Sequence, residues 1–140
     1  MEIANTNTST PETDLAQKTV YPILFSIAFA HLLNDLLQAV IPAAYPILKD
    51  SYQLTFTQIG LITFAYQMAA SILQPIVGLY TDKKPKPYSQ IFGMLFTLAG
   101  IILLASATSF PIIILSVILV GIGSSIFHPD ASRTSLLASG

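Results

Sequence analysis

His31, Asn34, Asp35 and Gln38 lie at offsets of 0, 3, 4 and 7 in an otherwise apolar stretch, and Pro42 follows at offset 11. On a helix turning about 100° per residue they share a stripe about 100° wide, which Tyr45 continues. Val20 to Leu48 is long enough to cross a bilayer, so His31 to Asp35 fall near its middle. A carboxylate at that depth costs about 3 kcal/mol or more. Intramembrane acids therefore face a protein interior or a watery cavity and mark a pathway. The chemistry this suits is reversible protonation, with Asp35 as proton carrier and His31 and Asn34 tuning it or meeting a substrate. The competing structural reading makes the same residues interhelical glue, which suits Gln38 better than chemistry does.

A second cluster is Phe127-His128-Pro129-Asp130-Ala131-Ser132-Arg133. Gly121, Ser124, Ser125, His128 and Ser132 fall on one small, polar helix face, so His128 is a further candidate for the pathway. Asp130 and Arg133 point largely the other way and, three residues apart, are spaced to pair with each other. Gln67, Ala70, Ser71, Gln74 and Gly78 form a small-residue face suited to helix packing, and Gly93 and Gly100, seven apart, read the same way. There is no cysteine, no nucleophile beside a base and no phosphate-cradling glycine loop. Two histidines on separate helices are too few for a metalloenzyme. Neither a resident metal nor a cofactor is expected.

These residues need helices in a membrane to position them. Of 140 residues, 53% are hydrophobic and only 9% charged, against about 25% charged in soluble domains. The expected class is all-α integral membrane. Four spans are expected, at about 20–48, 56–80, 88–108 and 111–137. The last two come from residues 87–127, an uncharged run of 41 that makes about 60 Å of helix and so crosses twice. The expected turn is Thr108-Ser109-Phe110-Pro111, since proline suits a helix's first turn. Residues 1–19 read as a disordered polar tail, without the basic start and apolar core of a secretory signal. With the N-terminus cytoplasmic, Lys18, Lys83, Lys84, Lys86 and Arg133 share that side, and only Lys49 lies opposite. Gly78 to Ser89 is then a short cytoplasmic loop. The near-zero net charge gives no reason to expect a nucleic-acid partner.

Within that loop, Gly78-x-x-x-Asp82-Lys83-x-x-Lys86 resembles the signature loop of the major facilitator superfamily, with Pro85 and Pro87 in place of a glycine and a basic residue. His31-Leu-Leu-Asn-Asp35, Ala44-Tyr-Pro46, Leu54-Thr-Phe-Thr-Gln-Ile-Gly60, Gln74-Pro-Ile-Val-Gly78 and Gly123-Ser-Ser-Ile-Phe-His-Pro129 together resemble its fosmidomycin-resistance branch, whose loop typically carries proline. The superfamily's fourth-helix arginine, four residues before a glycine, is replaced by Val117 before Gly121, so its role does not carry over.

The resemblance implies four helices of the N-terminal six-helix half of a twelve-helix transporter, with the first and fourth lining a central cavity. It implies a proton-coupled antiporter exporting a small-molecule drug or metabolite across the bacterial inner membrane. The proton is then the coupling ion, and the lipid bilayer and the remaining helices are the required surroundings. It also implies a conformational latch built from Gly78, Asp82, Lys83 and Lys86, with Asp130 as a further partner. The chain stops at Gly140 where a cytoplasmic loop is expected, which reads as an N-terminal fragment that does not transport alone. Two other readings are a non-transporting four-helix assembly subunit and a small dimeric four-helix multidrug transporter.

Overall fold

The computed structural model describes residues 19–83 and 88–139, all helix and short turns. The helices are α1 (Tyr21–Ala43), α2 (Tyr45–Ser51), α3 (Phe56–Lys83), α4 (Ser89–Ala105) and α5 (Phe110–Ser139). The expected first span is thus broken near its end. Pro42 and Pro46 each lack an N–H, and Pro46 cannot donate to the carbonyl of Pro42, so the backbone turns at Ala44. The expected loop is shorter than Gly78 to Ser89, because Gly78, Asp82 and Lys83 complete the last turns of α3. Lys86 and the tail 1–18 lie outside the described residues.

The turn from α2 to α3 is specified locally. Gln53 takes a left-handed φ of 50°, and the Leu54 N–H donates to the Lys49 carbonyl at 2.9 Å, closing α2 with a Schellman-type cap. Thr55 then opens α3 with a capping box. Gln58 N–H donates to Thr55 Oγ1 at 3.2 Å, and Thr55 N–H donates to Gln58 Oε1 at 2.9 Å. At the other junction, Ile112 and Ile113 donate to the Ser109 carbonyl at 3.1 Å, with Pro111 in the first turn of α5.

Helix α5 is the centre of the bundle. It packs along both α3 and α4, and more lightly on α1. Its apolar residues run round the whole circumference, which is why Ile113, Val117, Val120, Phe127 and Ala131 are all buried. The larger apolar cluster joins Ile41, Leu48, Leu54, Ile62, Leu104, Ile113 and Val117 at one end. A smaller one joins Ile27, Phe127 and Ala131 toward the other. Lys49 therefore sits at the opposite end of the bundle from Asp82 and Arg133. Three stretches, Tyr21–Ser51, Phe56–Lys83 and Phe110–Ser139, are long and apolar enough to cross a membrane. Helix α4 has 17 residues, about 26 Å, near the short limit for a crossing.

Glycines let α4 and α5 approach closely. A Cβ at Gly123 would lie 2.6 Å from the Gly93 carbonyl oxygen, and one at Gly100 would lie 2.7 Å from the Ser116 carbonyl oxygen. Gly121 meets α3 in the same way, at 2.7 Å from the Tyr66 carbonyl oxygen. Gly78 does not: a Cβ there would meet only Pro129 Cβ, at an ordinary 3.7 Å. The face of α3 that packs carries Ile62, Ala70 and Thr81, so Ala70 lies where the small residues suggested, whereas Gln67, Ser71 and Gln74 of that expected face are exposed.

Candidate functional site

Helix α1 carries His31 and Asp35 one turn apart, and α5 brings His128 to them from across the bundle. His31 Nδ1 lies 3.1 Å from Asp35 Oδ2, and His31 Nε2 lies 3.2 Å from His128 Nδ1. With Asp35 ionised and His31 neutral, the carboxylate only accepts hydrogen bonds, so His31 Nδ1 carries the proton in the first contact. Its Nε2 is then an acceptor, and His128 Nδ1–H donates to it. The result is a directional chain from His128 through His31 to Asp35. Phe127 holds the two rings, with its ring centre 5.5 Å from that of His31 and 5.8 Å from that of His128, both edge-on. The group is open on one side, since the side chains of His31 and Asp35 are 37% and 54% exposed.

Asn34 belongs to a different setting. It is fully buried among α1, α4 and α5, where Thr97 Oγ1 donates to its Oδ1 at 3.3 Å. Its Nδ2 has no hydrogen-bond partner among the described residues. The periodicity that put Asn34 beside Asp35 is real, but consecutive residues differ by about 100°. That angle separates a residue facing α4 from one on the open edge. Gln38, one turn on from Asn34, joins three helices: Tyr66 of α3 donates to its Oε1, and so does Ser124 of α5 at 3.3 Å. Beyond it Tyr45 and Thr63 share a hydrogen bond of 2.7 Å.

Of the residues expected to form the latch, Gly78, Asp82 and Lys83 share the last turns of α3, Asp130 lies on α5, and Lys86 falls outside the described residues. Asp82 Oδ1 faces Arg133 Nε at 4.0 Å, and Arg133 donates through a terminal guanidinium nitrogen to the Thr81 carbonyl at 2.8 Å. Asp130 is buried, its carboxyl turned toward the Gln90 backbone N–H at the start of α4 as well as toward Arg133. Asp130 makes no ion pair with Arg133 or Lys83 among the described residues. The guanidinium, longer than the spacing argument allows for, reaches past its own helix to α3. Sequence reasoning missed Tyr66, Thr97 and Phe127. Aromatic and hydroxyl side chains in apolar helices carry no signal until a buried polar partner is placed beside them.

Residues 27–133 match the family model of the Major Facilitator Superfamily. The chain is 52% identical over 123 residues to the "Fosmidomycin resistance protein" of Escherichia coli (strain K12), covering 88% of this chain and 30% of that protein. It is also 52% identical over 122 residues to the uncharacterized MFS-type transporter YfnC of Bacillus subtilis (strain 168), covering 87% of this chain and 30% of the relative. A second uncharacterized MFS-type transporter of that organism, YwoD, is 23% identical over 116 residues, 83% of this chain and 26% of its own length. The chain thus spans under a third of the length of the curated relatives it matches. No solved structure matches.

Proposed function

The chain belongs to the major facilitator superfamily, and from that premise we propose that it supplies the first four spans of a proton-coupled exporter of small-molecule drugs, fosmidomycin among them. The observation that carries this reading is the hydrogen-bonded chain Asp35–His31–His128, which links α1 to α5 through contacts of 3.1 and 3.2 Å. A proton arriving at the free ring nitrogen of His128 lets its Nδ1–H pass to His31 Nε2, and the His31 Nδ1–H pass to Asp35. Protonation removes the carboxylate's charge from a low-dielectric site, which biases a two-state transporter toward one face. Because the relay bridges two helices, loading it also changes what holds them together.

In this reading the end bearing Asp82, Lys83 and Arg133 faces the cytoplasm of a bacterial inner membrane, following the bias of basic residues. The remaining helices cover the outward faces of α1 and α3, where Phe25, Phe29, Leu32, Leu36 and Leu61 are exposed. The latch assigned to Gly78, Asp82, Lys83 and Lys86 centres instead on the Asp82–Arg133 contact.

The test uses a full-length transporter that contains this chain. Asp35→Asn is expected to abolish proton-driven drug efflux at unchanged membrane abundance, measured as drug accumulation in energised vesicles and as fosmidomycin susceptibility. Wild-type efflux in that variant would overturn the reading.

A further inference from the structure

We propose that His31, Asp35 and His128 form a binding site for a divalent transition-metal ion of the zinc class. One ring nitrogen of each histidine and one carboxylate oxygen of Asp35 lie within 4.8 Å of one another. Metal bonds of about 2.0–2.2 Å arranged tetrahedrally put ligand atoms about 3.3–3.5 Å apart. The His31 Nε2 to His128 Nδ1 separation of 3.2 Å is already close to such an edge. Bringing the carboxylate oxygen from as far as 4.8 Å to such an edge takes up to about 1.4 Å, with Asp35 turning from the Nδ1 side of the His31 ring toward its Nε2 side. Asp35 has that freedom on its exposed side, where its only recorded partner among the described residues is His31.

Three features make this more than proximity. His31 and Asp35 stand at i and i+4, the helical spacing that lets one face offer two ligands to one ion. The third ligand comes from another helix, so the donors converge from two directions. The donor set, two neutral imidazoles and a carboxylate, suits zinc, cobalt or nickel better than the oxygen-loving magnesium or calcium. Phe127 packed edge-on against both rings limits their rotation, and the exposed side leaves a position for water or an anionic oxygen to complete the shell. A bound ion takes both nitrogens of the interhelical contact, His31 Nε2 and His128 Nδ1, and the His128 proton is then carried on its other ring nitrogen. The site uses the residues of the relay, but its test stands apart from that of the transport reading, because metal binding is an equilibrium property that needs no gradient.

The experiment is a titration of the purified chain in detergent, affinity tag removed, with Co2+ as a visible-absorbing probe and Zn2+ as competitor. One Co2+ per chain, displaced by Zn2+, is expected to give the d–d bands of low-coordinate nitrogen–oxygen ligation. His31→Ala and His128→Gln should each weaken binding at least about tenfold, Asp35→Ala should weaken it and alter the band intensities, and Gln74→Ala, at an exposed position of α3, should leave it unchanged. Circular dichroism on each variant checks that the helices persist, and His128→Gln preserves side-chain bulk where alanine would open a hole. Absence of Co2+ binding by the helical wild-type chain overturns the proposal. So does binding that survives His128→Gln in a folded variant, because the ion then sits elsewhere.

Discussion

Gly123→Ala places one methyl group where α5 crosses α4, and its effect can be worked from distances. The new Cβ would lie 2.4 Å from Thr97 Oγ1, 2.6 Å from the Gly93 carbonyl oxygen and 2.6 Å from the Thr97 backbone nitrogen. Ordinary contact begins at 3.4 Å. The Thr97 hydroxyl can rotate away, but two backbone atoms of a helix cannot. The helices must therefore separate by about 0.8 Å, which places the change among overpacking substitutions costing about 1–3 kcal/mol. The same shift reaches the site. Ser124 and His128 ride on α5 and meet α1 at 3.3 and 3.2 Å, so any share of that shift taken up by α5 alters the geometry of both contacts. Gly60→Ala is the control, with nothing within 4 Å of its Cβ. It is expected to be neutral or to stabilise by up to about 1 kcal/mol through helix propensity. The assay is the thermal midpoint of the purified chain in detergent, followed by loss of the monodisperse species. Gly123→Ala as stable as Gly60→Ala would refute the close-crossing argument.

Two further substitutions test the polar contacts. Arg133→Ala removes the donor to the Thr81 carbonyl and is expected to destabilise the chain by about 1.5–3 kcal/mol, whereas Asp82→Asn, at an exposed pair 4.0 Å apart, should cost under about 1 kcal/mol; equal losses in the same thermal assay would contradict this ranking. Thr97→Val strands the buried Asn34 Oδ1 and is expected to cost about 1–3 kcal/mol, while Asn34→Leu combined with Thr97→Val should recover most of it. A double-mutant cycle with no coupling between the two sites would show that the 3.3 Å contact carries no stability.

The transmembrane class and the helix-borne polar clusters were legible because they depend on local sums. Twenty apolar residues must hide their backbone polar groups, whatever the remainder of the chain does. The two motifs at His31–Asp35 and His128–Arg133 were legible for the same reason, as stripes on single helices. The resemblance of the Gly78–Lys86 pattern and its companions to one transporter family likewise needed no coordinates, and residues 27–133 match that family. The break at Ala44 was less visible: Pro42 alone is compatible with a bent helix, and only with Pro46 does the missing hydrogen bond fall where the chain turns.

Which polar residues meet was decided by packing alone. Helix α5 has large apolar residues round its circumference as well as its small polar face, so its sequence leaves open which neighbour each residue meets, and its rotation is set by where Gly100, Gly121 and Gly123 allow neighbours to approach. That rotation brings His128 to His31 and Ser124 to Gln38, and it turns Asp130 toward α4 while Arg133 reaches α3. Asn34 and Asp35, adjacent in the chain, part because about 100° separates them on α1: one is fixed against Thr97 of α4 inside the bundle, the other left on the open side of the relay. Hydrophobic length and periodicity determine that a helix crosses and which residues share its stripe. Only the contact of one helix surface with another, resolved to the size of a methyl group, determines which side chains from different stripes become partners.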